Sequence, residues 1–271
     1  MTKIKWNTAG DRFFEAGVDR GVFYKSNGYG VVWNGLKSVT ETLSGGEATP
    51  YYVDGIKYLN VAAPEEFGGT IDAYMYPAEF EEYDGTAELY DGFSVNLQAR
   101  KEFGLSYRTL IGNDLDAENH GYKIHIIYNL LASPTAKANT TLSNDASLID
   151  FSWGFTTRPV PVQFNNTVIR TAHVILNSTK VSIGMMRAVE EYLYGSNTRS
   201  SKLISLDTLI SWFKLGGEPL EIVANTTTGI YTLKQDGLPD LITTDVEGVY
   251  AMPADTRLVS STPSGFYTLG P

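Results

Sequence analysis

Between Gly17 and Tyr76 the chain runs GVDRGVFY (17–24), VVWNGLKSVTE (31–41), SGGEATPYYVDGIKYLN (44–60) and EEFGGTIDAYMYP (65–77). Apolar and polar residues alternate within each piece, and glycine, asparagine or proline separates the pieces. A two-residue period puts one set of side chains on each face of a strand, whereas a helix would scatter the same set around its circumference. The opening of the chain is therefore committed to β-structure, with strands expected at 17–24, 30–42, 50–61 and 69–76. An acidic loop follows from Pro77 to Gly92, carrying Glu79, Glu81, Glu82, Asp84, Glu88 and Asp91. The strand pattern then resumes at 93–99, 101–112, 122–133, 136–143, 148–160 and 167–178. Strands recurring about every ten residues are the signature of a sandwich or barrel, so the fold class is mainly β.

Two helices interrupt the pattern. Ser182–Tyr194 carries Ile183, Met186, Val189, Tyr192 and Leu193 at helical spacing, with Arg187, Glu190 and Glu191 opposite and Gly195 placed to end it. A shorter one is expected from Ser205, which can cap its amides, to Lys214, with Leu206, Leu209, Ile210 and Phe213 as its apolar set. Both are expected to cover a sheet face.

After Gly216-Gly217 the texture changes. Residues 215–271 hold seven acidic side chains against two basic ones, a net −5 that is half the −10 of the whole chain. GIYTL (229–233), GVYAM (248–252) and GFYTL (265–269) repeat there, each reading as a turn glycine followed by a short strand. The boundary divides the chain into a main domain at 1–214 and a β-rich C-terminal extension at 215–271. A small meander or a ligand-binding repeat that presents three tyrosines would each suit the extension.

Composition removes several classes of function. With 42% apolar and 12% aromatic residues the chain can build a real core. The absence of Cys excludes disulfides and thiolate metal sites. A net charge of −10 argues against a surface that grips nucleic acid or anionic lipid. The start, MTKIKWNTAGDRFF, lacks the apolar core of a signal peptide, and no apolar run is long enough to span a bilayer. The sequons at Asn139, Asn165, Asn177 and Asn225 then read as turn or strand-end residues.

Catalytic and metal motifs do not emerge. Asp114, Asp116 and Glu118 suggest a calcium loop, but its sixth and twelfth positions would be Asn119 and His125 instead of Gly and Glu. A solvated hairpin loop is the better reading. The three histidines, His120, His125 and His173, fall in no HExxH pattern, and there is no phosphate-binding glycine loop or GxSxG elbow. The pairs Glu65-Glu66, Glu81-Glu82 and Glu190-Glu191 are adjacent acids, not two carboxylates facing each other across a cleft. No catalytic residue, metal ligand or cofactor is expected. Trp6, Trp33, Trp153 and Trp212, together with the many Tyr, leave a carbohydrate-binding sandwich open as the alternative.

Across roughly residues 4–214 the order of segments resembles the major tail proteins that build the tail tube of long-tailed, siphovirus-type bacteriophages. Beyond the opening block the likeness lies in RKEFGLSYRTLIGNDL (100–115), HGYKIHIIYNLLASPTAKANTTLSND (120–145), FSWGFTTRPVPV (151–162) and LNSTKVSIGMMRAVEEYLYG (176–195). The resemblance implies a β-sandwich or barrel subunit flanked by a helix. It implies hexameric rings stacked into a tube that DNA crosses during ejection, with no enzymatic activity, no cofactor and no membrane contact. The partners it implies are further copies of the chain and the tape measure, tail tip and tail terminator proteins. The location it implies is the virion, after assembly in the host cytoplasm. Closing strands of several subunits into one barrel would remove exposed sheet edges. The candidate subunit contacts are Asp19 and Arg20 in the DRG turn, Trp33, and a long stacking loop from Leu43 to Tyr83 with Tyr51, Tyr52, Tyr58, Phe67, Tyr74 and Tyr76.

Overall fold

A computed structural model describes residues 6, 8–133, 135–139, 141, 148–197 and 199–214 with their side chains, and beyond them the backbone of Leu215 and of six short strands. The protein is mainly β. In chain order the elements are β1 (Phe14–Tyr24), β2 (Gly30–Val32), β3 (Leu36–Ser44), β4 (Ala48–Val53), β5 (Ile56–Ala62), β6 (Glu66–Ala73), a 3-10 turn (Ala78–Phe80) and α1 (Glu81–Asp84). There follow β7 (Ala87–Tyr90), β8 (Phe93–Val95), β9 (Phe103–Asn113), β10 (Ala117–Ser133), β11 (Phe151–Thr157), β12 (Val160–Phe164), β13 (Thr167–Thr171) and β14 (His173–Asn177). Two helices, α2 (Ile183–Tyr194) and α3 (Leu206–Leu215), close the main body.

Eight strands form one antiparallel sheet in the order β2-β1-β9-β10-β11-β6-β3, with β14 also paired to β10. The sheet is open but curled. Trp33 N–H donates to Gly21 O at 2.9 Å, and β3 lies against β1. Alternation distributes the central strands over two cores. Val22, Tyr24, Ile124, Ile126 and Tyr128 point to one face, where α2 and α3 cover them with Met186, Val189, Leu193, Leu209 and Trp212. Phe23, Phe103, Leu105, Tyr107 and Ile127 point to the other, an aromatic core completed by Trp33, Phe80, Tyr83, Trp153 and Phe155. Burial on both faces explains why β10 reads as a nearly continuous apolar run.

One residue changes the parity. Tyr128 belongs to the helix-side core and Leu130 to the aromatic core, although strict alternation would put both on one face. The register slips between Ile127 and Leu130, and Asn129 there has φ of 49°. This β-bulge switches the later part of β10 to the other core.

The helix ends follow the sequence expectation. Ser182 Oγ accepts from Met185 N–H at 3.3 Å, and Gly195 N–H donates to Glu191 O at 2.9 Å. Ser205 Oγ accepts from Thr208 N–H at 3.2 Å. Tyr24 OH, buried in the helix-side core, donates to Leu193 O at 2.9 Å and lies 3.0 Å from Ser106 Oγ, so a hydroxyl ties sheet to helix.

Several expected elements divide differently. The 30–42 segment breaks at Gly35, whose φ is 87° and where an added Cβ would come within 2.9 Å of Met75 N, leaving no room for a side chain. The 50–61 segment is a hairpin: Val53 pairs with Ile56, and Asp54 and Gly55 have φ of 51° and 77°. Both signs suit the two-residue turn that matches strand twist. The Leu43–Tyr83 region is therefore not one loop, because from Glu66 it rejoins the sheet as β6. The DRG segment is a bulge within β1, with Arg20 at φ of 49°, and not a turn. Residues 135–139 lie outside any strand, while 140 and 142–147 fall outside the described residues.

The acidic 114–116 segment is the tight connection between β9 and β10, held by Asn113 Oδ1 accepting from Leu115 and Asp116 N–H. Asn165 and Asn166 form the positive-φ turn of the β12–β13 hairpin, and Asn177 ends β14. Asn225 lies outside the described residues. In the extension the strands are β15 (Glu221–Ala224), β16 (Tyr231–Lys234), β17 (Ile242–Thr243), β18 (Tyr250–Ala251), β19 (Arg257–Ser261) and β20 (Phe266–Gly270). They pair as three hairpins, and each GxYxx repeat supplies the second strand of one.

Candidate assembly surface

The hairpin of β4 and β5 leaves the sheet and pairs with nothing but itself among the described residues. All of its residues are exposed, yet it is rich in apolar side chains. Ile56 and Tyr58 are 73% and 72% exposed, and the register sets Tyr51, Val53, Ile56, Leu59 and Val61 on one face of the hairpin, with a bulge at Tyr58. Tyr52 adds a further exposed ring. A smaller hairpin, β7 with β8, exposes Leu89, Tyr90 and Phe93. An isolated two-stranded hairpin is at best marginal in water, and large exposed apolar patches mark contact surfaces.

A second feature is the free edge of β3. Among the described residues β3 pairs only with β6, so the part of its opposite backbone edge that does not lie against β1 has no ladder partner. The edge at β2 is shorter and is partly covered, since Gly30 N–H donates to Ser201 O at 3.0 Å.

The expected contact residues fall into three groups. Tyr51, Tyr52 and Tyr58 stand on the exposed hairpin, and Tyr74 is also exposed, with Lys37 Nζ 5.2 Å above its ring. Phe67 and Tyr76 are partly buried. Phe67 stacks on His173, and Tyr76 packs edge-on against Phe151 and Trp153. Trp33 is only 2% exposed and lies in the aromatic core, its Nε1–H donating to Met75 O at 3.0 Å.

Asp19 and Arg20 are engaged within the chain. Asp19 accepts two hydrogen bonds from the Arg108 guanidinium, which lies 4.9 Å over the Tyr122 ring. Arg20, half exposed, reaches Glu190 of α2 at 3.8 Å and stands 5.8 Å over the Tyr194 ring. The bulge in β1 thus locks the sheet to α2. Burial pushes the hydroxyl pKa of Tyr194 upward.

At the end of the aromatic core the strands gather a polar cluster that no local motif announced. Tyr107 on β9 pairs directly with His125 on β10, and His173 on β14 is diagonal to it. From β3, Glu41 reaches across the curled sheet to accept a hydrogen bond from Tyr107 OH. Its Oε1 lies 3.1 Å from His125 Nδ1, and its Oε2 lies 3.6 Å from His173 Nδ1. The hydrogen bond from His125 holds the Glu41 carboxyl near pKa 2, against the opposing effect of burial. Burial lowers the His173 pKa. These residues come together only through strand register, which explains why spacing alone gave no sign of them.

Neither a protein-family profile nor a curated protein sequence matches the chain. Among solved structures, one similar chain is in the "anti-feeding prophage (AFP) baseplate", at 9% identity and TM-score 0.31, covering 64% of this chain and 97% of that one. Another is in the "sheath/tube terminator in extended state" of the extracellular contractile injection system PVC, at 14% identity and TM-score 0.25, covering 63% and 100%. A third, in the PVC "sheath-tube complex in extended state", has 12% identity and TM-score 0.27, covering 64% and 94%. Likenesses this weak leave function to be argued from the chain's own residues.

Proposed function

We propose that the protein is a structural subunit of a phage tail, polymerising as stacked hexameric rings into the tube of a long-tailed phage. The observation that carries this reading is the β4–β5 hairpin. It exposes large apolar residues along both of its strands and has no partner within the described residues. Water disfavours such a surface, and each large side chain buried against a neighbour contributes about 1.5–3 kcal/mol before the costs of association. The free edge of β3 offers the backbone groups with which a neighbouring subunit could continue the sheet. The order of segments from about residue 4 to 214, which resembles that of major tail proteins, gives these surfaces their assignment.

The role needs no catalysis and no cofactor. Of the four Trp that would supply a sugar platform, Trp33, Trp153 and Trp212 are buried, which leaves Trp6 and the exposed tyrosines as the support for that alternative. Negative-stain microscopy of the purified protein at high concentration, with and without tail initiator components, tests the proposal. Rings or tubes are expected under at least one condition. A monodisperse monomer under both would overturn it.

A further inference from the structure

We propose that Glu41, His125 and His173 bind a single Zn2+ ion, which would clip the edge strand β3 to the β10–β14 pair. The inference does not rest on the assembly reading, since the three residues belong to one chain. One donor atom from each can be chosen so that all lie within 4.8 Å of one another. Atoms bound to one tetrahedral ion at about 2.0–2.2 Å sit roughly 3.3 Å apart. Within one donor set, His125 Nδ1 lies 3.1 Å from both Glu41 Oε1 and His173 Nε2, close to that value.

Proton accounting favours a cation. His125 Nδ1 faces both a carboxylate oxygen and a ring nitrogen at 3.1 Å. One proton on that nitrogen serves one of the two neighbours well, whereas an ion among the three donors serves all of them. The surrounding groups are already arranged for this. When Nδ1 of His125 is the ligand, the proton of the neutral ring sits on Nε2, which is 3.1 Å from Thr109 Oγ1 and can donate to it. Tyr107 OH donates to Glu41 and fixes the carboxylate. Such outer hydrogen bonds set the tautomer and orientation of metal-binding side chains.

The rings are also confined. His125 stacks on Tyr107 with centroids 4.6 Å apart, and His173 stacks on Phe67 at 4.9 Å. His125 is buried, while Glu41 is exposed enough to open the site to solvent. Two imidazoles and one carboxylate, with the fourth position left to water, form a donor set suited to Zn2+.

The test is titration of the chelator-treated full-length protein with Co2+, a spectroscopic substitute for Zn2+, followed by displacement with Zn2+. The expected result is a visible d–d band saturating at one equivalent and abolished by Zn2+. Glu41→Gln and His173→Ala should each remove the band. Thr109→Val should weaken binding on the order of 10- to 100-fold, and His120→Ala, away from the cluster, should leave it unchanged. Glu41→Gln keeps a side chain of the same shape, and circular dichroism is the check that each variant folds. No band in the wild-type protein would overturn the proposal. So would a band that survives in folded Glu41→Gln and His173→Ala, which would place the ion elsewhere.

Discussion

Strands β9 and β10 and strands β4 and β5 are both antiparallel pairs rich in aliphatic side chains and Tyr. The first pair is largely buried on both faces and the second on neither. Apolar content therefore does not decide burial here; topology does. β9 and β10 are flanked by β1, β11 and β14 and are covered by α2, α3 and the aromatic core. β4 and β5 leave the sheet between β3 and β6 and find no partner within the described chain. One pair stabilises the subunit, and the proposed assembly gives the other its partner.

The largest effect should come from the buried pair. Leu105→Ala or Ile126→Ala should lower unfolding free energy by about 2–5 kcal/mol in denaturant titrations, because each leaves a cavity in a fully buried site. Tyr58→Ala on the hairpin should change the stability of the monomer by less than about 0.5 kcal/mol. Equal losses at the two places would break the comparison.

Next come the ties between sheet and helices. Tyr24→Phe removes the hydroxyl shared with Leu193 O and Ser106 and should cost about 1–3 kcal/mol, mostly through polar groups left unpaired in the core. Ser182→Ala removes the cap of α2 and should cost about 1 kcal/mol. Thermal unfolding of the two variants, side by side, reads both. The smallest effect is expected from the C-terminal extension: deleting 216–271 should leave ring or tube formation intact by microscopy. A truncated chain that folds but no longer assembles would show that this segment is part of the joint.

Periodicity made the central strands and both main helices legible, because β1, β9, β10, α2 and α3 each carry their pattern over ten or more residues. It failed where two patterns join without a change of texture. Tyr51-Tyr52-Val53 and Ile56-Lys57-Tyr58 continue one alternation across Asp54-Gly55, so a hairpin reads as a strand. Trp33 looked like a surface contact because sequence cannot show that Phe80 and Trp153, far along the chain, close over it. The Glu41–His125–His173 cluster was illegible for the same reason. Its members sit on three strands, and only the curl of the sheet and the register of β10 with β14 bring them together.

The central claim is that the hairpin is a joint between subunits and not part of the subunit's own core. Sedimentation velocity at matched high concentrations, comparing the wild-type chain with Tyr52→Asp/Tyr58→Asp, tests it most directly. The account predicts large assemblies for the wild type, and a monomer with an unchanged melting temperature for the variant. Assemblies of equal size from both proteins, or a variant that fails to fold, would contradict it.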